Sequence, residues 1–129
     1  MERRRLRVYI AGPISLGDTQ KNIETGLEWG RQMLRDGLAP YIPHLDTFLG
    51  VDPAITPGSH KSQWNGLLEW DIEWVAASEA FFRIIGESKG ADLEMKVARE
   101  LGIPVFFNYP MLLEYANELG LRGKQEVSL

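Results

Sequence analysis

Ala80-Phe81-Phe82-Arg83-Ile84-Ile85 leads through Gly86 into Glu87-Ser88-Lys89-Gly90-Ala91-Asp92-Leu93-Glu94-Met95-Lys96-Val97-Ala98. The first six residues are almost wholly apolar and rich in β-formers, the composition of a strand buried on both faces of a parallel sheet. The next twelve open a helix expected over about 91–101, and Gly102 to Phe107 turns into a further strand. Working outward, residues 7–11 (RVYIA) read as a first strand stopped by Gly12-Pro13. Asp18 is a good N-cap for a helix to about 36, with Ile23, Leu27, Gly30 and Leu34 on one face and Gly37 at its end. Residues 39–43 (APYIP) form a second strand, placed at a sheet edge by its prolines. Residues 44–59, with two prolines and two glycines, read as a long active-site loop. Ser59 caps a helix over about 60–77 whose face of Trp64, Leu67, Leu68, Ile72 and Val75 is interrupted by Asp71. A last helix spans about 111–119, and the polar tail after Gly120 is expected to be loose.

Strands separated by helices imply βαβ units, hence a single α/β domain: a doubly wound parallel sheet of four or five strands, order beginning 2-1-3-4, with helices on both faces. Such sheets bind ligands at the carboxyl ends of their strands, where strand order reverses. Those ends fall at residues 12–17, at Pro43-His44, at residues 86–90 and at Asn108.

Composition bounds the chemistry. The chain has 129 residues, 44% hydrophobic and 25% charged, with a formal net charge of −4. That length buries roughly two thirds of the unfolded surface, enough for a core without staples. No apolar run approaches the roughly 20 residues of a membrane helix, and a strand-like run follows the N-terminal arginines where a secretory leader would continue. The absence of cysteine removes disulfides, thiol catalysis and thiolate metal sites together. A cytoplasmic protein is expected, with no membrane or nucleic-acid partner; Arg3, Arg4, Arg5 and Arg7 read as a solvated terminus.

Several motifs fail on inspection. Gly12-Pro13-Ile14-Ser15-Leu16-Gly17 has P-loop glycine spacing, but Asp18-Thr19 stands where Lys-Ser/Thr is required. The dinucleotide fingerprint and the G-x-S-x-G elbow are also missing. His44 with Asp46 or Asp52 makes a conceivable metal site, although loop histidines bonded locally are the commoner outcome. No metal or cofactor is called for. Gly12, Pro13, Ile14 and Ser15 nonetheless form a loop that approaches a small ligand closely, because glycine lacks a side chain. At the other strand end, Gly90 and Ser88 sit where a helix N-terminus offers free N–H groups. Glu94 lies about 6 Å further along that helix. It is either a carboxylate facing the strand mouths or an acid that the helix dipole favours near its first turns. Trp29, Trp64, Trp70 and Trp74 serve as a base-stacking surface or, more ordinarily, as core or subunit packing.

Four pieces in order resemble the nucleoside 2-deoxyribosyltransferase superfamily, which includes the 2′-deoxynucleoside 5′-phosphate N-hydrolases. They are Tyr9-Ile10-Ala11-Gly12-Pro13-Ile14; Asp71; Ser78-Glu79-Ala80-Phe81; and Ser88-x-Gly90-x-x-x-Glu94-x-x-x-Ala98 with Gly102-Ile103-Pro104-Val105 behind it. The stretch from Ser62 to Asp71 is most similar to a small bacterial and phage branch. The resemblance implies a Glu94 nucleophile that forms a glycosyl-enzyme from a nucleoside or nucleoside 5′-monophosphate, resolved by water or a second base. It implies that Asp71 helps bind and protonate the departing base, that Tyr9 stands beside the nucleophile, and that Ser88 meets the 5′ end of the sugar, with Lys89 or Arg83 adding positive charge. The first strand–helix loop lacks the arginine usual in the phosphate hydrolases, and Asp92 is an unexpected acid near a phosphate. His44 and Asn108 are further candidates for ligand contact, Asn108 conceivably in a neighbouring subunit's site. The superfamily's sites are often shared between subunits, so a homodimer or higher homo-oligomer is expected, with the Trp-bearing helix as interface. The alternative function is a non-catalytic nucleotide-sensing module on the same fold.

Overall fold

The computed structural model describes residues 3–49 and 60–121, with side chains for all of these except 60–67. The elements alternate: β1 Arg7–Ala11, α1 Thr19–Arg35, β2 Ala39–Tyr41, a 3-10 helix Pro43–Leu49, α2 His60–Ala76, β3 Ala80–Arg83, α3 Lys89–Glu100, β4 Val105–Phe106 and α4 Tyr109–Glu118. The sheet is parallel throughout with order β2-β1-β3-β4, as the alternation implies, and β2 lies at an edge.

Strand periodicity divides the core into two layers. Val8, Ile10 and Phe82 point to one face and pack with Met33 of α1 and with Leu112 and Ala116 of α4. Tyr9, Ala11 and Phe81 point to the other and pack with Val75 of α2 and with Ala91 and Ala98 of α3. Tyr9 is in register with Tyr41 and Phe81, and the three rings stack across the sheet at 5.5 and 5.6 Å. Trp74 continues the stack onto Tyr41, while Trp29 packs on Phe82 and Tyr109, so both tryptophans take the packing role.

Helix starts are set by side-chain caps at the strand mouths. Asp18, Ser88 and Asn108 accept hydrogen bonds from the backbone N–H of Lys21, Ala91 and Met111, each at 3.1 Å. The caps at Ser88 and Asn108 start α3 and α4 two residues earlier than apolar periodicity suggests. The strands are correspondingly short. Past Arg83 the chain turns at Gly86, whose φ of +136° excludes most other residues.

Three expectations are corrected. Leu34 is 52% exposed; the buried face of α1 is Gly26, Gly30 and Met33. The glycines carry that face because α1 lies against the chain leaving β2: a Cβ on Gly26 would sit 2.5 Å from the His44 ring. The second strand, expected over 39–43, ends at Tyr41, and Pro43 with residues 44–49, read as loop, forms a 3-10 helix. The Ser59 cap, the side chains of Trp64 and Leu67, the rest of the 44–59 segment and the tail beyond 121 lie outside the described residues.

Candidate active site

The carboxyl ends of β1 and β3 and the start of α3 surround a cavity of about 540 Å³, a size that suits a small ligand. Gly12, Ile14 and Ser15 form one wall, and Ser88 and Gly90 form another. Asn22 of α1 braces the first loop by donating to the carbonyls of Ile14 and Leu16 at 3.1 and 2.7 Å. Nothing in the sequence pattern had singled it out. Pro13 does not line the cavity; its ring sits where a Cβ on Gly86 would be, 2.6 Å away, and so locks the two loops together.

Glu94 lies on α3 and is 6% exposed, with its carboxylate on the cavity. The Tyr9 hydroxyl donates to Glu94 Oε2 at 2.7 Å from beneath, across the layer between β1 and α3. Tyr9 itself is fully buried and does not line the cavity. Burial raises Glu94 to about 7; the Tyr9 hydrogen bond and the Arg83 charge oppose that rise, and the charge of Asp46 adds to it.

Asp71 interrupts the apolar face of α2 because it points into this cavity, where it is 8% exposed. Opposite stands Asp46, also 8% exposed, carried by the 3-10 helix. The two carboxyls face each other at hydrogen-bonding reach. Asp46 Oδ2 and Asp71 Oδ1 have no donor among the described residues, a deficit that one shared proton removes. Burial, then Asp46, then Glu94 drive Asp71 far above the usual carboxylate range. Of the two charges, Asp46 is the closer and larger influence, and the sequence presents Asp46 only as a conceivable metal ligand. An acid just past the carboxyl end of β2 was the available signal.

Three other candidates are placed elsewhere. His44 is 1% exposed, packed on Gly26 outside the cavity lining, and burial lowers it to about 4. Asn108 caps α4 and does not line this cavity. Arg83 is buried and spends its guanidinium on the carbonyls of Ile84 and Gly86 and on Asp92, the last at 2.8 Å. It therefore braces the β3–α3 turn, and Asp92 is its ion-pair partner rather than a charge facing the ligand. Lys89 is the one cation among the described lining residues. No group of three metal-ligating side chains occurs among the described residues, and no described helix is long and apolar enough to cross a membrane.

No family model matches this chain, and no curated protein matches it. Among solved structures it is similar to a 2-deoxyribosyltransferase from the psychrotolerant bacterium Bacillus psychrosaccharolyticus. The TM-score is 0.55 and the identity 22%, over 77% of this chain and 69% of that one. The fold is thus nucleoside 2-deoxyribosyltransferase-like, the architecture that the sequence resemblance implies.

Proposed function

We propose that this chain cleaves the N-glycosidic bond of a nucleoside or nucleoside 5′-monophosphate through Glu94, and passes the sugar to water or to a second base. The observation that carries this reading is the Glu94 carboxylate, shielded from bulk water, directed at the cavity and held by the Tyr9 hydroxyl at 2.7 Å. A nucleophile requires one fixed rotamer and an ionised oxygen; Tyr9 serves the first need, and its hydrogen bond favours the charged form. A carboxylate open to solvent would have favoured a sensing module.

Glu94 attacks the anomeric carbon, a C–O bond forms, and the C–N bond breaks with its electron pair leaving on the base. Asp71 gives its proton to a ring nitrogen of that base, which departs neutral. Water then attacks the same carbon, the ester C–O bond returns its electrons to Glu94, and the water proton restores Asp71. A second base in place of water yields a new nucleoside. Ser88 accepts from Ala91 N–H and keeps its own hydroxyl hydrogen for the 5′ oxygen of the sugar.

The test incubates the protein with nucleosides and their 5′-monophosphates, with and without an acceptor base, and follows free base and exchanged nucleoside. Wild type is expected to release or exchange base on at least one substrate. Glu94→Gln should lower that rate by at least about 1,000-fold, the order of effect seen when a catalytic group is removed, while still binding the substrate. Full activity of Glu94→Gln would overturn the mechanism.

A further inference from the structure

Two cavity carboxyls, Asp46 and Asp71, each more than nine-tenths buried, each leave one oxygen without a donor among the described residues, and the two face each other. A carboxylic acid offers one O–H donor, whereas a carboxylate accepts only. With one proton between them, the pair presents a donor and an acceptor side by side to whatever enters. The proton belongs on Asp71. The charges of Asp46 and Glu94 both press on Asp71, while the Tyr41 hydroxyl donates to Asp46 Oδ1 at 3.4 Å, long but directed at the charge on Asp46. Tyr9, packed beneath them, donates to Glu94, and Glu87 and Lys89 line the same cavity.

We infer that Asp46 and Asp71 together read the base, selecting one whose ring nitrogen acceptor is flanked by an exocyclic amino group over the same ring bearing an oxo group. This deepens the reading of Glu94 as a glycosidic nucleophile and rests on it. Adenine presents N7 beside its 6-amino group, and cytosine presents N3 beside its 4-amino group. In each, the ring nitrogen takes the Asp71 proton and the amino group donates to Asp46. Hypoxanthine, which carries no amino group, places its 6-oxo oxygen against Asp46, two acceptors with no hydrogen between them. Uracil and thymine carry N–H at position 3, which cannot take the proton. Asp46 touches the base in this arrangement and acts as a specificity determinant; it does not meet the reacting carbon.

Base release is compared within two pairs of near-identical shape, 2′-deoxyadenosine with 2′-deoxyinosine and 2′-deoxycytidine with 2′-deoxyuridine. A buried acceptor facing an acceptor discriminates by about 10- to 100-fold, so kcat/KM should favour the amino member by that factor in any pair that turns over. Asp46→Asn keeps the shape and adds an amide N–H that donates to an oxo group. It should shrink the ratio at least about 10-fold or invert it, a change that a purely structural loss would not produce. Equilibrium titration of the same four nucleosides into Glu94→Gln gives a second measure that needs neither turnover nor the Asp46 variant to fold. Equal binding within both pairs, or an unchanged ratio in a folded Asp46→Asn, overturns the inference. No base release from any nucleoside or monophosphate, combined with preferential binding of the amino members, would sink the glycosidic reading and leave the base selection standing.

Discussion

Burial presses Glu94 toward its protonated form while the Tyr9 hydrogen bond resists, and two measurements expose the balance. Its value of about 7 in the fold lies above the ordinary 4.5, so the folded chain binds the extra proton between those values. The stability it contributes is complete below pH 4.5 and is lost as pH rises through 7. Glu94→Gln should therefore melt above wild type at pH 8, by up to roughly 3 kcal/mol, and match it near pH 4.5. In the rate profile, activity should rise with pH through about 7 as Glu94 ionises. Tyr9→Phe removes the donor that favours the charge, and should move that limb to higher pH; an unmoved limb would show that Tyr9 does not tune the carboxylate. Asp71 was legible physically, because it breaks an apolar helical face. Glu94, following a glycine at a strand mouth, was open to two readings on spacing, and the resemblance to a family supplied its role and that of Tyr9. Asp46 was passed over as a base contact because a seven-residue 3-10 helix leaves no periodicity from which to infer where its side chains point.

At the scale of elements, α1 and the 3-10 helix meet at Gly26 and His44. The imidazole is 1% exposed and lowered to about 4, so the fold binds fewer protons than the unfolded chain between there and 6.5. His44 thus contributes fully above pH 6.5, and its contribution is lost as pH falls toward 4, up to roughly 3 kcal/mol. Replacing His44 with Gln should flatten the acid side of a melting-temperature profile. Gly26→Ala sets two effects against each other. Alanine favours the helix by about 1 kcal/mol, but its methyl would stand 2.5 Å from a ring with no room to retreat, an overpacking of about 1–3 kcal/mol. The clash should win, with a net loss in chemical denaturation of about 1 kcal/mol. Gly30 was read on the inner face, but Gly26 escaped the sequence reading because a small residue adds nothing to an apolar repeat; only a neighbour pressed against it shows its use.

For the whole molecule, the order β2-β1-β3-β4 agrees with the one expected from the alternation of strands and helices together with the glycines that end the strands. Assembly does not follow from that logic. Trp74 is 44% exposed on α2, and Phe48, after β2, is 73% exposed; apolar surface of this kind marks contacts. We propose that α2 pairs with a second copy. Light scattering should give at least a dimer at tens of micromolar, and Trp74→Glu should shift it toward monomer; a wild-type monomer at that concentration would refute the pairing. The hydrogen bond between Tyr9 and Glu94 has a different consequence. Its partners stand 85 positions apart and meet only after β1 has found β3. Helices form in about a microsecond, whereas so distant a closure is slow. Regained activity during refolding would thus be a clock for completion of the sheet, running behind the helical signal. A partly unravelled chain would lose its chemistry while most of its helices still stand.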